Sequence, residues 1–401
     1  MTDKLHPVLL VLNAGSSGIK FSLYQTGGDV CGEPECLGSG SFNVHYSIEH
    51  LIFKQTGVQT QKEQQWQHHD ALPPGGALTN LMGWIDRQYT WHISAAVHRV
   101  VHGGDRYEAV QRVDDSVMAE LQALIPMAPL HQDRCLAPIN YLRREHPGLV
   151  QFVCFDTAFH HTLDSMERSY GLPRALTAQG LRRYGFHGLS YEYIASVLPG
   201  YDQRAANGRT IVAHLGSGAS LCAMHDGISR ATSMGFSTLD GLLMGTRPGH
   251  IDPGILLYLM REHGMSAQSL EHLLYHECGL LGVSGGISSD MRELHASAAP
   301  EAKEAVELFV RSVVRGIGTY AAVLGGLDAL VFTGGIGEHA AHVRAAILDG
   351  CRWLGIQRND IEENLPGCLS TPDSPVSAWM IPTDENLIMA RHALRRLHAL
   401  S

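Results

Sequence analysis

Several features that would point to a specialised class of protein are scarce or missing in this sequence. Its eight cysteines include no C-x-x-C pair, so neither a zinc site nor a disulfide framework is predicted, and reduced thiols in a cytoplasm are expected. No apolar run approaches the ~20 residues needed to cross a bilayer. The N-terminal MTDKLHPVLLVLNAG is interpreted as a first strand and not as a signal peptide. The 30 basic residues are outnumbered by 40 acidic ones, and the net charge of −10 argues against a general nucleic-acid binder.

What is present describes an ordinary globular protein. The chain has 401 residues, of which 44% are hydrophobic and 17% charged, so it can bury substantial cores. Because domains usually run ~100–200 residues, this length predicts two of them. Glycine is frequent, at 43 residues, and the glycines cluster in particular loops that carry most of the information about function.

Two of these glycine clusters share one design. An apolar run at 8–12 is followed by GSSG at 15–18 and by IKFSLY at 19–24, which alternates apolar and polar side chains. The pattern predicts strand, tight turn, strand. A Walker P-loop would need G-x-x-x-x-G-K-[ST] and then a helix, and both conditions fail. The same pattern returns in TIVAHLGSGASLCAM at 210–224, so a duplicated domain is predicted, with a seam near 150–160.

A third cluster, in ALVFTGGIGE at 329–338, follows an apolar run and precedes residues with helical spacing. Glycines at a helix start place backbone N–H groups where phosphate or ribose binds well. The third glycine of a dinucleotide fingerprint is missing, so a Rossmann domain is not favoured. A long core helix is predicted over 301–324, and a last helix is predicted to begin near Thr383 and Asp384, both plausible N-caps.

Five polar residues stand out against their surroundings. Arg99 lies in an apolar strand pattern and Arg247 in a Gly/Pro turn; both suit a carboxylate or phosphoryl clamp, although an internal salt bridge is an equal alternative for Arg99. Asp156 lies at the end of an apolar strand, where it could act as a base, bind a metal or simply cap the next segment. His187 could donate a hydrogen bond to a developing negative charge, or it could have a purely structural role. Glu385 could simply stabilise the start of a helix through the helix dipole. Together with the glycine turns, they indicate phosphoryl transfer, which needs Mg²⁺ and cationic groups.

These segments closely resemble the acetate kinase family, with its propionate and butyrate kinase relatives. The matching stretches run in the family's order from residue 11 to 385: VLNAGSSGIKF, HRVVHGGDRY, MAPLH, FDTAFH, YGFHGLS, HLGSGAS, SMGF, DGLLMGTRPG, IDPG, SSDMRE, FTGGIGE and IPTDE. The resemblance implies an α/β fold in which two duplicated ribonuclease-H-like (actin-like) domains flank an active-site cleft. It places the first domain at 1–156 with a returning C-terminal helix at 386–401, and the nucleotide-binding domain at 157–385.

The resemblance also implies a reaction. It is the reversible, Mg²⁺-dependent transfer of the γ-phosphoryl group of ATP to the carboxylate of acetate, giving acetyl phosphate and ADP. Propionate, or another short-chain acid, is the alternative acceptor, and Mn²⁺ is a possible substitute for Mg²⁺. A cytoplasmic homodimer is expected, whose partners are ATP or ADP and a short-chain carboxylate, with neither nucleic acid nor a membrane.

Catalytic and metal roles follow from the resemblance position by position. The catalytic residues are expected to be Asp156, His187 and Arg247, and the magnesium site to involve Asn13 and Glu385, directly or through water. Asp156 is interpreted as a metal-organising and positioning group. A general base is not obviously needed, because a carboxylate nucleophile has no proton to lose at pH 7.

Binding roles are implied in the same way. Arg99 would bind the substrate carboxylate, and the acyl methyl group would contact Val101, Leu130 and Phe186. The resemblance places ATP at Lys20, His214, Leu215, Gly216, Ser217, Gly218, Asp290, Met291, Arg292, Gly335, Ile336, Gly337, Glu338 and His339.

This sequence departs from the family's pattern at several positions. Gly18 stands where a third serine is usual, and Ser217 and His339 stand where asparagines are usual. Gln132 lies in a segment that is usually H-N-P, and Thr238 follows Ser237 where a pocket proline is usual. All charged catalytic positions are kept, so we expect retained chemistry with altered nucleotide affinity or acyl preference. The substitution Gly18→Ser is expected to tighten ATP binding or leave it unchanged.

Two other functions compete with this interpretation. A sugar or glycerol kinase would share the fold and could use Asp156 as a general base, but Arg99 and Arg247 favour an anionic acceptor. A non-enzymatic nucleotide-gated module would carry an extra substrate-binding or polymer-contact domain, for which the motif-matched chain leaves no room.

Overall fold

A computed structural model describes residues 6–15, 18–27, 32–45, 48–67, 77–359 and 365–399. The chain forms two compact units, Met1–Ala158 with Asp384–Ser401, and Phe159–Thr383. Each unit is built on its own sheet, which confirms the predicted α/β class and agrees with duplicated actin-like domains. The domain limits proposed from the sequence, after 156 and after 385, stay a prediction.

In the first unit, the described residues form an eight-stranded sheet in the order β5-β4-β3-β2-β1-β6-β8-β7. Its elements are β1 His6–Gly15, β2 Gly18–Gln25, β3 Cys36–His45, β4 Ile48–Gln55, β5 Gln61–Gln67, α1 Ala77–Gln88, β6 Trp91–Val100, β7 Gln111–Arg112, α2 Asp115–Ala123, α3 Pro129–Glu145 and β8 Val150–Phe155. β1 pairs in parallel with β6, and β6 with β8. The carboxyl ends of these three strands therefore lie along one edge of the sheet.

The predicted first hairpin is confirmed. β1 and β2 pair antiparallel, with Asn13 opposite Lys20. Apolar side chains of β1 and β2 enter a core that Phe53 and Trp84 complete. Phe53 stacks on Phe21 with ring centroids 5.9 Å apart and meets the edge of Trp84 at 5.4 Å. Aromatic packing of this kind fixes the hairpin on the sheet.

Gly18 begins β2 in a conformation that other residues rarely adopt. Its φ is +144°, and a Cβ there would lie 2.7 Å from the carbonyl oxygen of Phe42. Phe42 is paired with Ile19 in the β2–β3 ladder, so its backbone cannot move aside without disturbing the sheet. A serine at position 18 would therefore be strained, while the expected effect of Gly18→Ser on ATP binding stays a prediction. Ser16 and Ser17, the hydroxyls of the same turn, lie outside the described residues.

The second unit contains a six-stranded sheet within the described ranges, in the order β11-β10-β9-β12-β14-β13. β9 pairs antiparallel with β10 and in parallel with β12. The elements are α4 Ser165–Arg168, α5 Arg174–Thr177, α6 Gly188–Tyr201, α7 Gln203–Ala206, β9 Arg209–Leu215, β10 Ala219–His225, β11 Ile228–Thr232, α8 Pro253–Glu262, α9 Ala267–His272, α10 Gly279–Val283, α11 Met291–Ala296, α12 Pro300–Leu324, β12 Ala329–Thr333, α13 Gly334–His339, α14 Ala341–Gly350, β13 Gly367–Cys368 and β14 Ser377–Met380. Short 3-10 or π-helical turns occur in both units, at Ile125–Met127, Ala158–Thr162, Leu273–Glu277 and Arg352–Leu354.

The second hairpin and the long core helix are both confirmed. β9 and β10 pair around the 216–218 turn, with Ser220 opposite His214. α12 buries one stripe of side chains at helical spacing, namely Ala302, Ala305, Phe309, Val313, Ile317 and Ala321. Because these positions recur every three or four residues, they form a single face that packs on the sheet.

The third glycine cluster differs from the prediction. The glycines do not form a loop before the helix but are themselves helical, in α13, and a second helix, α14, follows. The carboxylate of Glu338 stabilises the start of α13, because its Oε1 accepts the backbone N–H groups of Gly334 at 3.0 Å and of Thr383 at 3.2 Å. Gly334 has a φ of +78°, and a Cβ there would lie 2.8 Å from the carbonyl oxygen of Leu215. A glycine is therefore required at this position.

The last helix, α15 Glu385–His398, belongs to the first unit. Its predicted start is confirmed, since the side chain of Asp384 accepts the backbone N–H of Leu387 at 2.9 Å. Asn386 donates to Ser22 Oγ of β2 at 2.8 Å, which ties the helix to the hairpin. None of the helices in the described ranges is both long and apolar enough to span a bilayer.

Candidate active site

The first unit brings four of the predicted residues into one hydrogen-bonded chain, at the carboxyl ends of β1, β6 and β8 and the start of α15. Arg99 donates to both oxygens of Asp156, from Nε at 2.8 Å and from Nη2 at 2.5 Å. Its Nη1 donates to Asn13 Oδ1 at 3.1 Å. Asn13 Nδ2 in turn donates to Glu385 Oε2 at 2.9 Å. The pairings among these residues are not predictable from the sequence.

Burial and charge act in opposite directions on the central ion pair. Asp156 is 1% exposed; burial raises the pKa of its carboxyl, while the charge and hydrogen bonds of Arg99 oppose that shift. Burial alone would lower the pKa of Arg99, but the carboxylates of Asp156 and Glu385 raise it above its ordinary value. Two-point pairing with a guanidinium requires an ionised carboxylate, so both groups are charged at neutral pH.

Arg99 has N–H groups beyond those that its internal hydrogen bonds use. A guanidinium has five N–H groups, and the bonds to Asp156 and Asn13 use three of them among the described residues. Asp156 occupies the edge formed by Nε and Nη2. The other edge, formed by Nη1 and Nη2, has the spacing that binds a second carboxylate at two points. The internal salt bridge is therefore compatible with the substrate-binding role predicted for Arg99, which stays a prediction.

The donor types at this edge fit a magnesium ion. Asn13, Asp156 and Glu385 supply amide and carboxylate oxygens, which are the ligands that Mg²⁺ prefers. Because Asn13 Oδ1 already accepts from Arg99, Glu385 is the better candidate for direct contact and Asn13 for contact through water. Across the described ranges, no cluster of three His, Cys, Asp or Glu side chains could hold a metal. Water and substrate phosphates would therefore complete the coordination shell.

Gln132 supports the loop that follows β6. Its side chain is fully buried. Its Oε1 accepts the backbone N–H of His102 at 3.1 Å, and its Nε2 donates to the carbonyl oxygens of His102 at 3.0 Å and Leu121 at 3.3 Å. These bonds fix the backbone next to Val101, which is itself buried. The backbone of Leu130 lies in α3, and its side chain is outside the described part of the structure.

The second unit places two predicted histidines face to face. The rings of His187 and His214 stack with centroids 4.3 Å apart. His214 Nδ1 lies 2.8 Å from Ser190 Oγ, and His187 Nδ1 lies 2.8 Å from Ser220 Oγ. His187 precedes α6 with a φ of 59°, a left-handed conformation that costs roughly 1–3 kcal/mol and that clusters at functional sites.

The side chain of Arg247 lies close to His187. A Cβ at Gly218 would lie 2.7 Å from Arg247 Nη2 and 3.4 Å from His187 Nε2, so the two nitrogens flank the space above Gly218. Arg247 Nη1 donates to the carbonyl oxygen of Thr238 at 2.7 Å. Burial lowers the pKa of Arg247 to about 10, and among the described residues only Tyr275 counteracts this shift electrostatically. Unlike Arg99, Arg247 is a half-buried cation with no carboxylate partner among the described residues, which favours an anionic ligand.

The predicted nucleotide loops are adjacent in space. Thr333, at the end of β12, pairs with His214 near the end of β9, so the 214–218 and 335–339 segments begin side by side. The Gly245 N–H donates to the carbonyl oxygen of Ser217 at 3.0 Å. A Cβ at Gly245 would lie 3.4 Å from the carbonyl oxygen of Ser289, which brings the 290–292 segment next to the same turn.

Several residues predicted to bind ATP also make contacts that stabilise the fold. Asp290 caps α11 and pairs at two points with Arg292, whose hydrogen bonds lower the pKa of Asp290 to about 2. Glu338 stabilises the start of α13, as described above. The side chains of Leu215 and Met291 are buried, so they would meet a ligand only through their backbone. The exposed positions are Lys20, Ser217, Arg292, Gly335 and His339.

Phe186, which is predicted to line the acyl pocket, is fully buried, and its carbonyl oxygen accepts from His160 Nε2 at 3.0 Å if that nitrogen is protonated. Sequence reasoning did not select Gln132, Ser220 or Tyr191 as site residues, although each bonds to one or next to one. The available signals were weak: Ser220 lies two residues after Gly218, and Tyr191 lies one helical turn after His187.

Each sheet carries a glycine-turn hairpin, Arg99 lies near the end of β6, and Arg247 lies beside Gly218; these features suit a phosphotransferase whose acceptor is a carboxyl group. Comparison with known proteins supports the same class. A family model described as the Acetokinase family matches residues 8–391. The chain belongs to this family.

Individual relatives agree over nearly the whole chain. An acetate kinase of Rhodopseudomonas palustris (strain TIE-1) is 50% identical over 397 residues, covering 97% of this chain and 98% of the relative. The crystal structure of a propionate kinase from Francisella tularensis subsp. tularensis SCHU S4 is 32% identical, with a TM-score of 0.87 and coverage of 96% of this chain and 98% of that one. The crystal structure of Porphyromonas gingivalis acetate kinase is 30% identical, with a TM-score of 0.83 and the same coverage.

Proposed function

We propose that this protein transfers the γ-phosphoryl group of ATP to the carboxylate of acetate, in a reversible reaction that gives acetyl phosphate and ADP. The observation that carries the choice of acceptor is the pairing of Asp156, both of whose oxygens accept from Arg99. A carboxylate held at both oxygens by a guanidinium orients that cation and is poorly placed to act as a base. A hydroxyl acceptor would need a base, whereas an ionised carboxylate does not.

The reaction needs no proton transfer. An acetate oxygen forms a bond to the γ-phosphorus, the bond from that phosphorus to the bridging oxygen breaks, and ADP leaves with the electron pair. Arg99 would bind and orient the acetate carboxylate. Arg247 and His187 would stabilise the charge on the transferred phosphoryl group, which is the main catalytic contribution in such reactions. Mg²⁺, when bound near Glu385 and Asn13, would neutralise phosphate charge.

The nucleotide would bind along the glycine segments of the second unit. Backbone N–H groups at 216–218 and at the start of α13 suit phosphate and ribose oxygens. Ser217 and His339 are exposed there, and each replaces an asparagine that the family usually has, so altered nucleotide affinity is the expected consequence. Lys20 would contact nucleotide phosphate.

The test is formation of acyl phosphate. The purified protein is incubated with Mg-ATP and acetate, propionate, butyrate or glycerol, and acyl phosphate is trapped with hydroxylamine. We expect acyl hydroxamate with acetate, with the highest kcat/KM among the acids, and no phosphorylation of glycerol. ATP hydrolysis that does not depend on any carboxylate would contradict the proposal, and a higher kcat/KM for propionate would move it to the alternative substrate.

A matched pair of variants tests the role of Arg247. Arg247→Ala removes a donor aimed at the developing charge and should lower kcat by ~10²–10³. Arg315→Ala removes an exposed arginine of α12 and should leave kcat unchanged. Equal activity of the two variants would remove Arg247 from the mechanism.

We further propose that the protein is a cytoplasmic homodimer. The support for self-association is α8, which buries none of its residues and exposes Ile255, Leu257, Tyr258 and Met260 at 42–57%. Such an apolar face fits a second copy of the chain. Leu257→Glu should halve the mass in sedimentation, whereas Leu308→Glu, at an exposed leucine of α12, should not. Every cysteine in the described ranges is a free thiol, which supports a reducing compartment.

A further inference from the structure

Two buried hydroxyl groups form a hydrogen-bonded chain with His187. Ser220 Oγ lies 2.8 Å from His187 Nδ1, and Tyr191 OH lies 2.5 Å from Ser220 Oγ. Both Tyr191 and Ser220 are 0% exposed. Tyr191 comes from the first turn of α6 and Ser220 from β10, so the fold itself brings the three groups into line. The proposed reaction gives neither hydroxyl a direct role.

The direction of each hydrogen bond in the chain Tyr191–Ser220–His187 follows from the protons available to it. A hydroxyl donates one hydrogen bond, and a phenol is a stronger donor than an aliphatic alcohol. Within the described residues, Ser220 is the one hydrogen-bond partner of the Tyr191 hydroxyl. Tyr191 otherwise packs among apolar side chains and near the rings of His160, Phe159 and His214, with centroids 5.6, 6.5 and 6.5 Å away. If Tyr191 did not donate to Ser220, its buried proton would have no acceptor there, which is costly.

The remaining protons then follow. With Tyr191 donating to Ser220, the proton of Ser220 is directed to His187 Nδ1. A neutral imidazole that accepts at Nδ1 carries its own proton at Nε2. His187 Nε2 lies beside the space above Gly218, within 3.4 Å of a Cβ placed there, as Arg247 Nη2 lies within 2.7 Å. The tautomer therefore presents an N–H donor where the transferred phosphoryl group is proposed to lie.

We propose that Tyr191 and Ser220 are positioning residues that hold His187 in the tautomer protonated at Nε2, so that it donates to the transferred phosphoryl group. The step from tautomer to catalysis rests on the proposed function, whereas the tautomer itself does not. His187 also has a left-handed backbone conformation. The hydrogen bond to Ser220 fixes the ring that this backbone presents.

The test separates the tautomer from the activity. The full-length protein is labelled with ¹⁵N in its histidine rings, and the His187 signal is assigned by its loss in His187→Gln. We expect an unprotonated Nδ1 and a protonated Nε2 in the wild type. In Tyr191→Phe, which keeps the ring, and in Ser220→Ala, we expect both tautomers in exchange. Tyr201→Phe, on the exposed end of α6, is the control and should give the wild-type spectrum.

Kinetics provide the second measurement. Loss of the outer partner of a metal-ligating histidine typically costs ~10–100-fold, and by analogy Tyr191→Phe should lower kcat by about tenfold while the KM for ATP stays within about twofold. A wild-type His187 protonated at Nδ1 would overturn the proposal, as would a Tyr191→Phe variant with an unchanged spectrum and unchanged kcat. If the wild type showed the Nε2 tautomer but made no acyl phosphate, the proposed function would fail and the relay would stand.

Discussion

Removing one partner of the Arg99–Asp156 pair should be far more damaging than removing both. The two side chains are 17% and 2% exposed and meet at two points. Asp156→Ala leaves a buried guanidinium without its counter-ion, and breaking such a pair costs ~3–5 kcal/mol of unfolding free energy. In the double variant Arg99→Met with Asp156→Leu, both charges are replaced by apolar groups of similar length. That change is expected to be nearly neutral or stabilising.

The same unit offers an exposed pair as a control. Arg143 forms a salt bridge with Asp115, whose side chain is 98% exposed. Surface pairs contribute roughly 0–1 kcal/mol, so Arg143→Ala should change the unfolding free energy by less than ~1 kcal/mol. The contrast between the two pairs isolates burial as the cause, since both join an arginine to an aspartate.

The measurement is urea unfolding of the wild type and the four variants, followed by circular dichroism at neutral pH. We expect Asp156→Ala and Arg99→Ala each to lose ~3–5 kcal/mol and the double apolar variant to recover most of that loss. Activity should be absent from all three, because Arg99 is proposed to bind acetate. A loss of under ~1 kcal/mol in Asp156→Ala, equal to the Arg143→Ala control, would refute the reasoning.

Three further outcomes are expected. Gly18→Ser should destabilise the protein by ~1 kcal/mol or more in urea unfolding, because of its φ of +144° and the nearby Phe42 carbonyl; an unchanged midpoint would contradict this. At Gly335 a Cβ would meet nothing within 4 Å, so Gly335→Ala should raise the KM for ATP without changing stability if the nucleotide lies there. Burial lowers the pKa of His98 to about 4, so the folded protein resists protonation there while the unfolded chain binds a proton below pH ~6.5. Stability should therefore fall as the pH drops from ~6.5 to 4, and His98→Gln should flatten that slope by up to ~1.4 kcal/mol per pH unit; an unchanged slope would rule this out.

Local patterns were sufficient to predict the secondary structure around the site. Alternating side chains and glycine turns identify both hairpins, and Asp384 is an ordinary N-cap, because these features depend on residues close together in the chain. The pairing of Arg99 with Asp156 joins positions 57 residues apart and exists only once β6 and β8 are neighbours. In the sequence Gln132 stands out only as a departure from a family pattern, because the backbone groups it binds are 11 to 30 residues away.

The sheet register explains why two histidines and two serines recur together in the second unit. Ser220 lies opposite His214 in the β9–β10 pair, while Ser190 lies three positions after His187. The bonds cross: the histidine of the hairpin reaches the serine of the helix, and the histidine before the helix reaches the serine of the hairpin. A slip of one residue in the ladder would turn Ser220 to the opposite face of the sheet. It would break the contact with His187 and, by our proposal, the control of its tautomer.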